Sequence, residues 1–149
     1  MLKPFLFLPA LMFAGAAAAP QQATQPAPST ALVVPADIAS KANPIKPDAE
    51  SLARAKKIYG YECALCHGDN GGGDGDLAKN MKTKMADFRD PAALKGRTDG
   101  ELYYIINHGM GEMEGEGARV KPDDTWGLVN YVRSFSHGGQ PTAAVQGPS

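Results

Sequence analysis

Cys63-Ala64-Leu65-Cys66-His67 gathers the only two cysteines of the chain and one of its three histidines into five residues. Two thiols three residues apart on a helical turn can add to the two vinyl groups along one haem edge. The adjacent histidine can then swing under the ring and bind the iron. Other chemistries use part of the same set. A plain i,i+3 disulfide does not require His67. A thioredoxin-like redox pair belongs to a strand-helix-strand pattern, which the sequence lacks. A zinc site wants four ligands, and His108 and His137 do not have finger spacing. The five residues read as the c-type haem attachment pattern, with Cys63 and Cys66 binding the cofactor and His67 binding its iron.

Iron in a haem has a second open face. Gly109-Met110-Gly111-Glu112-Met113-Glu114-Gly115 reads as a flexible loop offering two methionines. A thioether is a soft, neutral ligand that favours ferrous iron and raises the potential. Glycines let such a loop fold tightly over the ring. The residues themselves leave Met110 and Met113 both open as the sixth ligand. Met81 and Met85 alternate with Lys82 and Lys84 and read as packing. With both axial positions filled, no site remains for a small-molecule substrate. The chemistry is then Fe(II)/Fe(III) exchange, one electron at a time, and the chain is not an enzyme. The alternatives are a haem enzyme or a gas- or peroxide-reactive protein with an open sixth site, or a fixed cytochrome subunit of a larger respiratory complex.

Three helices must position these residues. The first begins at Asp48, a good N-cap. It lays Leu52, Ala55, Ile58 and Tyr59 on one face and runs toward Cys63. The second begins at Thr98, where Thr98-Asp99-Gly100-Glu101 fits a capping box. Leu102, Tyr103, Ile105 and Ile106 form its buried stripe, and Asn107-His108-Gly109 stops it. The third begins at Lys121-Pro122, with Asp123 and Asp124 complementing the helix dipole. Trp126, Val129, Val132 and Phe135 recur at helical spacing, and Gly138-Gly139 ends it. A short helix after Asp90-Pro91 fits as well. No segment alternates long enough to argue for a strand, so the expected class is all-α.

The flanks carry a different message. Residues 1–19 hold Lys3, an apolar run from Phe5 to Phe13 and a small-residue stretch from Ala14 to Ala19, and read as a signal peptide, with an uncleaved anchor as the alternative. Residues 20–47, rich in Ala, Pro and Gln, read as a flexible tether, in which Leu32-Val33-Val34 is a short apolar patch. Residues 48–137 are the folded domain and 138–149 a disordered tail. The expected location is the periplasm or another exported compartment, with membrane attachment only if the first segment stays in place. A formal charge of −1, from 15 basic and 16 acidic residues, argues against a nucleic-acid partner. The expected partners are redox proteins. Glu112, Glu114 and Glu116 form an acidic cluster, and Lys79, Lys82 and Lys84 a basic one.

The order of these features resembles the class I monohaem c-type cytochromes. An amphipathic helix leads into Cys63–His67 and Gly68. A glycine-rich loop, a middle helix and the methionine loop follow, and the last helix ends Trp126-Gly127-Leu128-Val129-Asn130-Tyr131-Val132-Arg133-Ser134-Phe135. The resemblance covers nearly all of residues 48–135. It implies a small domain of three main helices around one covalently bound haem c. It implies Met113 as the sixth ligand, with Glu114 where the family carries proline. It also implies that the His67 ring donates to a backbone carbonyl near Gly75 or Asp76, and that Ala55 and Tyr59 of the first helix meet Tyr131 of the last.

Overall fold

The structure, a computed structural model, describes residues 32–138. The expected signal peptide, residues 20–31 of the tether and all but the first residue of the tail lie outside the described residues. Helices dominate: α1 (Ala36–Ala39), α2 (Ala49–Glu62), α3 (Ala64–His67), α4 (Asp76–Met81), α5 (Asp99–His108) and α6 (Pro122–Ser134), with a 3-10 turn at Phe135–His137. Two two-residue strands, β1 (Gly109–Met110) and β2 (Met113–Glu114), pair antiparallel.

The helix ends follow local chemistry. The Asp48 carboxylate accepts from the Ser51 amide at 2.8 Å and opens α2. Thr98 and Glu101 form the reciprocal box at the start of α5. Pro122 sits in the first turn of α6, where a missing amide hydrogen costs nothing. Beyond Asp90-Pro91 the chain makes successive turns instead of a helix, with Asp90 accepting from the Ala92 amide.

The core forms where α2 and α6 pack together. Ala55 is 1% exposed and Gly127 is buried beside it, so small side chains let the two backbones approach. Tyr59, Tyr131 and Phe135 form an edge-on aromatic cluster, with ring centroids 5.0 to 5.3 Å apart. The expected contact of Ala55 and Tyr59 with the last helix is therefore present. A second cluster of Leu102, Trp126 and Val129 joins α5 to α6.

The later half of the segment expected as a tether packs on the domain. The carbonyls of Ile38 and Ala39 lie against Gly100, so closely that any side chain there would collide. Thr98 Oγ1 donates to the Ala39 carbonyl at 2.7 Å. Asn43 Nδ2 donates to the Trp126 carbonyl at 2.9 Å and to Asn130 Oδ1 at 3.0 Å, and Asn130 Nδ2 donates to the Ile45 carbonyl at 2.8 Å. Residues 35–47 thus form a strap across α5 and α6, and the folded unit begins before residue 48.

Candidate haem site

Cys63 closes α2, its amide donating to the Tyr59 carbonyl at 2.9 Å. The next turn, α3, carries Cys66 and His67, whose amides both bond the Cys63 carbonyl. One continuous bend therefore holds all three residues. The two thiols are unpaired and half-buried. Burial, and then the charges of Glu116 and Glu62, push the Cys63 thiol up to about 12. Among the described residues no group of three or more His, Cys, Asp or Glu is placed to hold a bare metal ion.

The turn is braced from behind. The buried Tyr59 hydroxyl donates to the Gly68 carbonyl at 2.9 Å, tying α2 to the residue after His67. The Gly73 amide donates to the His67 carbonyl at 2.8 Å, and the Gly75 amide to the Cys66 carbonyl at 3.2 Å. Gly75 lies so close to the Leu65 and Cys66 backbone that no side chain fits there.

His67 is held neutral, because burial pulls its basicity below the ordinary histidine value. Its Nδ1 is buried and has no hydrogen-bond partner among the described residues. The expected bond to a carbonyl near Gly75 or Asp76 is not made. The loop instead spends the Gly73 and Gly75 amides on the carbonyls of His67 and Cys66, and the face of the His67 ring stacks on Phe88 at 4.9 Å. No residue pattern marks the Phe88 contact in advance; it depends on the Phe88 amide donating to the Gly71 carbonyl at 2.7 Å. Two free thiols on one bend and a neutral imidazole with an unsatisfied buried nitrogen suit a covalently bound iron porphyrin.

The methionines stand on a hairpin, not a flexible loop. Gly111 has φ +62° and Glu112 keeps a negative φ, the signature of a type II′ turn with glycine first. Met110 and Met113 are direct cross-strand partners, so both side chains leave the same face of the ribbon. Met110 is 44% exposed and Met113 is more sheltered. Gly109, at φ +83°, lies against the Met113 carbonyl and fixes the base of the hairpin.

Two expectations about surrounding residues change. Met81 is 51% exposed and not packed in the core; with Leu77, one turn earlier, it gives α4 an uncovered apolar face. Glu116 is buried and ion-paired, so the acidic cluster at the surface is reduced to Glu112 and Glu114.

The sequence and the fold place the chain among known proteins. The family model for cytochrome c matches residues 52–136, and the chain belongs to the cytochrome c family. A covalently bound haem c with its iron, and a part in electron transport, come with that membership. The chain is 36% identical over 85 residues to cytochrome c6 of Cladophora glomerata, covering 57% of this chain and 89% of that protein. It is also similar to a chain of the reducing HAO-like protein complex of Kuenenia stuttgartiensis, at 28% identity and a TM-score of 0.55. That match covers 62% of this chain, which spans only 46% of the length of the other.

Proposed function

We propose that this chain is an exported electron carrier whose single haem would be joined to Cys63 and Cys66, with His67 and Met113 as the side chains that would ligate its iron. When bound, the haem supplies one-electron exchange between Fe(II) and Fe(III). The chain's own residues do the rest. Cys63 and Cys66 would hold the ring, and neutral His67 offers a ligand nitrogen. A donor and an acceptor protein exchange electrons with it in turn.

The observation that carries the ligand assignment is the hairpin. It aims Met110 and Met113 to one side and shelters Met113 more. A His/Met haem is low-spin, with a sulfur-to-iron charge-transfer band in the far red of the ferric form. Met113→Ala should abolish that band, lower the potential and open the iron to cyanide or carbon monoxide. Met110→Ala should leave the band in place. The reverse pattern makes Met110 the ligand. A wild-type protein that is already high-spin and binds peroxide makes the domain a haem enzyme.

Similarity to part of a chain in the reducing HAO-like complex favours a second reading, a cytochrome unit fixed within a larger redox assembly. The size of the native protein isolated from its host separates the two: about 15 kDa for a free carrier (the full chain is 15.7 kDa), far more for a subunit. Among the described residues no helix is long and apolar enough to cross a membrane. Export is tested by N-terminal sequencing. A mature chain beginning near residue 19 or 20 supports it, and an intact Met1 in the membrane fraction supports the anchor.

A further inference from the structure

Glu116 is the one charged residue buried among the described residues, 6% exposed. Both of its carboxylate oxygens accept from Arg119, from Nε at 3.0 Å and from Nη2 at 2.7 Å. Arg119 Nε also lies 3.5 Å from Oε2 of Glu62, the last residue of α2 and the neighbour of Cys63. Glu116 is equally fixed through its backbone. Its amide donates to the Ile106 carbonyl at 2.7 Å, and its carbonyl accepts from the amides of Arg119 and Val120. Two carboxylates and one guanidinium therefore stand between the base of the methionine hairpin and the first cysteine. The field of both carboxylates reaches Cys63, where after burial it is the main force holding the thiol protonated.

We propose that Glu116, Arg119 and Glu62 set the reduction potential of the haem from its Cys63 edge, Arg119 offsetting one of two negative charges. The group carries a net charge of −1, which stabilises ferric over ferrous iron. Glu116 acts most strongly, because its carboxylate is buried and least screened by salt. The side chain of Glu62 is 35% exposed and acts more weakly. This rests on the reading that the haem joins Cys63. Glu116, Arg119 and Glu62 are positioning residues and do not touch the iron.

The test is redox titration of the purified holoprotein and its variants, with the far-red ferric band recorded on each. Glu116→Gln should raise the potential and Arg119→Gln should lower it, each changing the ferrous-to-ferric ratio several-fold at a fixed solution potential. Glu62→Gln should raise it by less. The double variant Glu116→Gln/Arg119→Gln should return close to the wild-type value, and Arg119→Lys, which keeps the charge and loses the fork, should stay near it. A merely structural pair would loosen the hairpin in every case and move all potentials the same way. That outcome, or no movement in any variant, overturns the proposal. If Glu116→Gln fails to fold, the opposite shifts of Arg119→Gln and Glu62→Gln still decide. Failure of the Met113 assignment is seen separately, as a wild-type protein without the band.

Discussion

The cysteine bend and the methionine hairpin are both short and both rich in glycine at their edges, yet they are held in different ways. The bend is braced along its length, by Tyr59 on Gly68, Gly73 on His67 and Gly75 on Cys66. The hairpin is held mainly at its base. Gly109 lies under the Met113 carbonyl, Gly115 against Asn107 and Glu116 on Ile106, while nothing stands within 4 Å of where a side chain on Gly111 would begin. Among the described residues its tip makes one side-chain hydrogen bond to the rest of the domain, the 2.9 Å bond from Thr83 Oγ1 to Glu112. The difference follows from the demands on each. Two thiols must meet two points on a rigid ring, so their separation cannot vary. A single thioether, the sixth ligand proposed above, would need to reach one point, and a ribbon held mainly at its base would suffice.

The largest effect should come from the bend. Replacing Cys63 and Cys66 together by Ala should remove covalent haem, seen by mass spectrometry as loss of the haem mass from the chain. It should also leave little folded protein, because a domain of this size has a marginal core without its central apolar group. Gly109→Ala attacks the base of the hairpin. Left-handed backbone and overpacking against Met113 together should cost about 2–5 kcal/mol, read by denaturant titration, and the far-red band should weaken. Tyr59→Phe keeps the aromatic cluster and deletes only the bond to Gly68. A buried carbonyl left without its donor should cost about 1–3 kcal/mol in the same titration, with haem still attached. Gly111→Ala touches the free tip, where space is open and only the backbone angle resists. It should cost about 1–2 kcal/mol and leave the band unchanged. If Gly111→Ala shifts the band more than Gly109→Ala, the contrast between firm base and free tip is wrong.

Much of this was legible from residue types alone. Asp48, the Thr98–Glu101 box and Pro122 mark helix starts through side-chain chemistry that needs no tertiary partner. The cysteine bend is equally local. What escaped was decided by distant partners. Asn43 and Pro35–Lys46 look like linker because they carry no apolar period. They dock through amide and carbonyl bonds to Trp126, Asn130 and Thr98, more than fifty residues away. Glu116 looks like Glu112 and Glu114 in sequence, each set among glycines. Its burial depends on the Ile106 carbonyl and the Arg119 fork. Met81 followed an alternation with lysines that suggested packing, but the short α4 leaves it on an open side.

The strap decides how the domain would hang from whatever precedes it. Leu32 and Val33, where the described chain begins, line one groove with Met110 and Met113. The strap is held to α5 and α6 through Thr98, Asn43 and Asn130. A chain shortened to residue 52, where the family match starts, would lose one wall of that groove together with the bonds that Ala39, Asn43 and Ile45 make to α5 and α6.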